Sequence, residues 1–202
     1  MDSFTKSLLY EEVRQHFLAG RLPSFDDKTV IHLASILTSL LYGDKVKSIE
    51  SGQLENVLPQ YLLRNTTVDW KAQIKSRLKK AKKTSSNVDL LQTEFLQICR
   101  ELKIYGSTYF EAEIYNTRPI VLQGQVWCAI NDQGLHLITI HQHIHRASYD
   151  YKELTFGQKN WDGRTVLHVV ARAHDHQFYI LSNQVSHLIM LIQKIGNIKI
   201  VE

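Results

Sequence analysis

Phe95-Leu-Gln-Ile-Cys-Arg-Glu-Leu-Lys-Ile-Tyr-Gly-Ser-Thr-Tyr-Phe-Glu-Ala-Glu-Ile-Tyr115 is the stretch in which the hydrophobic period of the chain changes. Before Gly106, the apolar residues Leu91, Phe95, Ile98 and Leu102 recur at three- and four-residue steps, which is one face of a helix. After it, Tyr109 to Tyr115 is aromatic and β-branched with partial two-residue alternation, the pattern of a half-buried strand. Glycine leaves αR geometry at little steric cost, so Gly106 reads as the stop of the helix. A helical region therefore precedes this stretch and a β region follows it, which makes the chain α+β.

Working outward toward the N-terminus, Leu9, Val13 and Phe17 fall four apart with Tyr10 and Leu18 beside them. This predicts an amphipathic helix over 6–18, closed by Ala19-Gly20 and a turn at Arg21-Leu22-Pro23-Ser24. Asp26 or Asp27 caps a second helix over 28–42, whose apolar set is broad enough for the centre of a bundle and which Gly43-Asp44 ends. Residues 45–67 read as a partly helical connection. A further helix over 68–83 has Trp70, Ile74, Leu78 and Ala81 on one stripe and lysines opposite. Thr84 to Asn87 is a turn and cap before the last helix, 88–103.

In the other direction, strands are predicted at 109–115, 124–130, 135–140, 148–151, 154–156, 165–171 and 177–181. Asn131-Asp-Gln-Gly134 between two apolar runs is a hairpin signal. The chain then finishes with an amphipathic helix over 182–195 on Val185, Leu188, Ile189 and Ile192, stopped by Gly196. Seven strands and a closing helix are the count of a pleckstrin-homology-like sandwich of two roughly orthogonal sheets.

The totals exclude several classes. The 202 residues are 44% hydrophobic and 22% charged, the composition of a folded protein rather than a disordered tail. No apolar run reaches the roughly 18 needed to cross a bilayer, and the first ten residues lack a signal-peptide pattern, so a cytoplasmic setting is expected. Cys99 and Cys128 form neither a disulfide framework nor a metal pair and read as free buried thiols. No disulfide and no cofactor is expected. The net charge of +4 is uneven: residues 71–83 carry +7 with no acid, which leaves −3 elsewhere. Any anion-binding surface must therefore rest on Lys71, Lys75, Lys79, Lys80, Lys82 and Lys83, as an anionic membrane contact or an acidic-partner contact. His141-Gln-His143-Ile-His145 puts three imidazoles on one strand, too far apart to converge on one ion, and reads as surface histidine. GxSxG, HExxH, P-loop and strand-turn-helix GxGxxG motifs are missing, so no catalytic residue is assigned.

Tyr10-Glu-Glu-Val-Arg-Gln-His-Phe-Leu-Ala-Gly-Arg-Leu-Pro23, followed by a long apolar helix ending Tyr42-Gly43-Asp44, resembles the opening of the helical second lobe of FERM domains. Leu58-Pro59-Gln-Tyr61 and then Phe95-Leu-x-Ile-Cys-x-x-Leu-x-x-Tyr105-Gly106-x-x-Tyr109-Phe110 are similar to the end of that lobe and its passage into the third. The resemblance covers most of the chain and is to the FERM domains of talin and of MyTH4-FERM unconventional myosin tails. It implies an acyl-CoA-binding-protein-like helical bundle over 1–104, then a PH/PTB-like β-sandwich with a C-terminal capping helix over 105–202. The ubiquitin-like first lobe has no counterpart, so the chain reads as a fragment, an isoform or an incomplete gene model. The resemblance also implies a non-catalytic adaptor that joins a cytoplasmic tail peptide or cargo to the cortical cytoskeleton and membrane, or the cargo-binding tail of such a myosin. It implies no nucleic-acid partner. In PH-like lobes of this family a peptide adds beside the fifth strand, here Lys152 to Gln158 with Leu154 and Phe156, against Val185 and Ile189 of the closing helix. Strand alternation requires one face of that strand to be core, and Leu154 and Phe156 belong to it. In the talin-like pattern a tryptophan follows this strand almost at once; here Gly157 stands there and the nearest is Trp161.

Overall fold

The computed structural model describes residues 3–23, 26–43, 49–64, 67–81, 87–118, 122–198 and 200. The sequence expectations at Ser24, Asp44, Lys82, Lys83 and Thr84-Ser-Ser86 lie outside these. The chain divides into two compact units, Met1–Tyr105 and Gly106–Glu202.

In the first unit, α1 (Ser3–Leu18) buries Tyr10, Val13 and Phe17, the face that its four-residue spacing selects. Asp26 accepts a hydrogen bond from the Thr29 amide at 2.7 Å and caps α2 (Asp27–Tyr42), which buries seven consecutive-turn positions from Val30 to Thr38. Gly43, at φ +79°, ends α2 with its amide donating to the Ser39 carbonyl at 2.9 Å. The connection holds a 3-10 turn (Ser51–Asn56) and a single-turn α3 (Gln60–Leu63), and it is anchored by Ile49, Val57 and Leu58, all buried. Trp70, Ile74 and Leu78 of α4 (Trp70–Ala81) and Phe95, Leu96 and Cys99 of α5 (Val88–Arg100) complete the core. Phe95 sits at its centre, with the rings of Tyr10 and Phe17 edge-on at 5.5 and 5.9 Å.

Two details differ from the sequence reading. First, α5 ends at Arg100, three residues before the expected end at 103. The amides of Glu101, Leu102 and Tyr105 donate to carbonyls three residues back, so the last turn tightens. These turns leave Leu102 half-buried, which is why the apolar period runs on past the helix. Second, Lys71 departs from the exposed lysine face of α4: it follows the buried Trp70 by one position and is half-buried, while Lys75, Lys79 and Lys80 are exposed.

Gly106 does need to be glycine, since its φ is +70°. A Cβ there would meet nothing within 4 Å, so a substitution is penalised by backbone conformation alone. Gly106→Val is expected to cost about 1–2 kcal/mol and Gly106→Asn distinctly less, as read by the melting temperature.

In the second unit one seven-stranded antiparallel sheet runs in the order β4-β3-β2-β1-β7-β6-β5. The strands are β1 (Thr108–Arg118), β2 (Gly124–Asn131), β3 (Gly134–Thr139), β4 (His145–Tyr149), β5 (Leu154–Trp161), β6 (Arg164–Ala171) and β7 (His176–Leu181). The two sheets anticipated from strand count are a single continuous ladder, with the long β1 paired to β2 on one side and β7 on the other. Alternate residues of all seven strands share one core cluster, so the sheet curls over on itself into the sandwich. The closing helix α6 (Val185–Gly196) fills the open side with Val185, Leu188, Ile189 and Ile192. Cys128 lies in this core and Cys99 in the helical one. Burial pushes each thiol up to about 12, so both are protonated and unreactive at neutral pH.

Candidate functional site

β5 is an end strand of the sheet. It pairs with β6 along its whole length, from Leu154↔Ala171 to Trp161↔Arg164, across a two-residue turn at Asp162 and Gly163. Both turn residues have positive φ, 50° and 72°, the geometry of a type I′ hairpin. In such a hairpin the flanking pair Trp161/Arg164 exchanges both backbone hydrogen bonds, and every second pair after it does the same. The amides and carbonyls of Phe156, Gln158 and Asn160 therefore face away from β6, toward the open edge.

The residues expected to line a groove beside this edge separate into two groups. Leu154, Phe156, Val185 and Ile189 are 8%, 1%, 7% and 9% exposed and belong to the core cluster. Their side chains hold the strand and helix together and leave little surface for a ligand. Lys152 is exposed but lies in a 3-10 turn, Tyr151–Glu153, rather than on the strand. Gln158 is exposed on the strand itself. A ligand at this edge would thus meet backbone groups, Gln158 and the outward side chains of β5.

The outward side chains form a group that no single segment of sequence announces. Tyr115 of β1 and Tyr179 of β7 are stacked at 5.9 Å, and His168 of β6 stacks on Tyr179 at 4.7 Å. Trp161 reaches Tyr115 at 4.4 Å and is itself 54% exposed. Lys159 Nζ donates to Tyr179 Oη at 3.1 Å and lies 5.3 Å from that ring's centroid. Burial, and then the Lys159 charge, hold the His168 imidazole below its ordinary value, so it is neutral at pH 7. The members come from four strands, β1, β5, β6 and β7, and only the strand register brings them together.

Around the other end of β5, His174 Nε2 lies within hydrogen-bond distance of Glu153 Oε2 at 3.1 Å. Tyr149 Oη and His176 Nδ1 are hydrogen-bonded at 2.7 Å. The histidines at 141, 143 and 145 do not converge. His141 is exposed, His143 packs on Trp127 at 5.2 Å, and His145 Nε2 bonds Ser148 Oγ at 2.7 Å. Among the described residues no group of His, Cys, Asp and Glu is placed to hold a metal ion.

On α4, Lys75, Lys79 and Lys80 are exposed, while Lys71 is half-buried and paired with Glu50 at 3.2 Å. Arg77, on the flank of the buried stripe, is half-buried, and together with burial its charge holds His32 below its ordinary value. The free cationic surface described here is three lysines wide, and Lys82 and Lys83 lie outside the described residues. No described helix is long and apolar enough to cross a membrane.

Comparison with known proteins places both units. Residues 1–110 match the family model described as the FERM central domain. Residues 124–191 match that of the KRIT1/FRMD8 FERM domain C-lobe. Among solved structures, the human myosin 7b C-terminal MyTH4-FERM domain in complex with the harmonin-a PDZ3 domain is similar at 18% identity and a TM-score of 0.71. Mutant 1 of the MF2 MyTH4-FERM domain of Dictyostelium discoideum myosin VII gives 18% and 0.68; in both cases 93% of this chain and 37% of the other is covered. The Drosophila Merlin FERM and C-terminal domain complex gives 18% and 0.55, over 98% of this chain and 64% of that one. The chain thus spans little more than a third of the myosin chains that it matches, and at these identities the likeness establishes the fold.

Proposed function

The chain belongs to the FERM family, and from that premise we propose that it is a non-catalytic adaptor, with 1–104 as the second lobe and 105–202 as the third. In this reading the third lobe takes an extended segment of a cytoplasmic tail or cargo protein on the open edge of β5, and so couples it to the cortical cytoskeleton. The observation that carries it is the unpaired edge itself: β5 ends the sheet, and its outward backbone groups at Phe156, Gln158 and Asn160 offer a ready ladder to an added strand. Lys152, Leu154, Phe156, Gln158, Val185 and Ile189 keep their place in the proposal in two capacities. Gln158 and Lys152 are available for contact, and the other four are the packed support behind the strand.

An array of receptor-tail peptides probed with the full chain tests this. Gln158→Pro removes one outward amide without touching the β5–β6 ladder, and proline is tolerated on an edge strand. It is expected to lower binding about tenfold, the loss of one hydrogen bond whose carbonyl partner is left unsatisfied in a dry interface, while the melting temperature holds within a few degrees. Unchanged binding would sink the proposed edge.

The basic face of α4 suggests that the same adaptor rests on an anionic membrane. Each lysine near such a surface contributes about 1 kcal/mol. Reversing Lys75, Lys79 and Lys80 together is therefore expected to lower sedimentation with phosphatidylserine vesicles roughly a hundredfold at low salt. Salt-insensitive binding, or none lost, would exclude the face. A second reading, the cargo-binding tail of a MyTH4-FERM myosin, is supported by the two myosin likenesses, and genomic sequence upstream of Met1 encoding a helical MyTH4 segment is its expected signature.

A further inference from the structure

The stacked rings on the outer sheet face lie in one cross-strand row. Register pairs Tyr115 with Tyr179, Tyr179 with His168, and His168 with Gly157. Three rings thus cross β1, β7 and β6 in sequence, and the row stops at the edge strand on a residue with no side chain. Gly157 is not among the residues of positive φ, so its backbone is ordinary strand and does not call for glycine. A glycine inside a strand weakens it and often marks a bulge, a bend or the close approach of another backbone. The β5–β6 register runs through Gly157 without a bulge and β6 fills one side, which leaves the open side for another backbone.

We infer that the segment added to β5 places an aromatic side chain over Gly157, as the fourth ring of the row, and an acidic side chain two residues away beside Lys159. The inference rests on the reading that the β5 edge takes a peptide. In antiparallel addition the partner residue opposite Gly157 forms a non-hydrogen-bonded pair with it, because the outward hydrogen bonds of β5 fall on Phe156 and Gln158. Such pairs bring the Cα atoms to about 4.5 Å, the closest approach in a sheet. An aromatic side chain laid across a glycine in a neighbouring edge strand covers its exposed backbone, a pairing known to stabilise sheets. Here it would also continue onto the His168 ring. Lys159, exposed and two residues from Gly157 on the same face, selects the acidic neighbour, which would share its ammonium with Tyr179 Oη. Trp161 packs its exposed ring against Tyr115 and Tyr179 of the same row.

A phage-displayed random dodecamer library panned on the full chain tests the inference. The selected peptides are expected to carry Phe, Tyr or Trp two positions from Asp or Glu, and to slow amide exchange across residues 154–161. In a selected peptide, replacing the aromatic residue by Ala is expected to weaken binding about five- to tenfold, a result independent of the protein's fold. Gly157→Leu, which occupies the vacant position, is expected to weaken it at least as much. Lys159→Glu is expected to weaken it and to be rescued by exchanging the peptide's acid for Lys. Peptides that protect 154–161 without the aromatic–acid spacing, or that lose less than twofold on aromatic→Ala, would overturn the inference and leave the edge reading intact. A library that yields no peptide protecting 154–161 would overturn both.

Discussion

Gly134→Ala is expected to prevent the β unit from folding. Gly134 opens β3 directly after the Asn131 turn, with φ +145°, and an added Cβ would lie 2.0 Å from the Tyr149 carbonyl oxygen and 2.9 Å from its carbon. Both are backbone atoms of β4, so no side chain can swing aside to relieve the overlap. The turn is also clamped from within, since Asn131 Oδ1 accepts the amides of Gln133 and Gly134 at 2.9 and 3.2 Å. Relief therefore requires β3 and β4 to separate, at a cost on the order of 4–5 kcal/mol or more, which is at the extreme of single substitutions and comparable to the whole stability of a small unit. The near-UV circular dichroism of the β unit and its part of the melting transition should be lost, with those of the helical unit retained. A variant melting within about 2 °C of the wild type would mean that the β3–β4 pairing is wrong.

The second large effect falls on the strand that carries the proposed site. Phe156 is 1% exposed, packed in the core from the edge strand, and Phe156→Ala is expected to cost about 3–5 kcal/mol. Peptide binding should fall with it in proportion to the unfolded fraction, and return where temperature or an osmolyte restores folding. The comparison separates support from contact. Gln158→Pro lowers binding at unchanged stability, whereas Phe156→Ala lowers stability first. If Phe156→Ala left the melting temperature unmoved and abolished binding, Phe156 would be a ligand contact on an open face, and the packing described for β5 would be wrong.

Much of this architecture is legible in the chain because it is local. The period change across Phe95–Tyr115, the Asp26 cap, the Asn131–Gly134 turn and all seven strands are set by neighbours within a few residues. Where the reading slipped, a short-range rule was masked by another. The tightened turns after Arg100 preserve the helical spacing of Leu102, so the end of α5 was hidden. The four-residue step of Lys71, Lys75 and Lys79 does not show that Lys71 is half-buried and paired with Glu50 across 21 residues of sequence. The side chains of Val185 and Ile189 face inward by spacing, yet spacing does not say whether the inward face is sealed. The ring row was beyond reach for a different reason. Tyr115, Gly157, His168 and Tyr179 are brought together by the register of four strands, and a slip of one residue in any of them would turn its member to the core.

The most direct measurement is amide hydrogen exchange on the full chain, with and without a saturating tail peptide taken from the array. Strand addition at β5 predicts slowed exchange at Phe156, Gln158 and Asn160, the amides that face the open edge. Exchange at Lys159, already bonded to β6 in the hairpin ladder, should change little. Protection confined to the helical unit or to β4, with these three amides unaffected, would contradict the account.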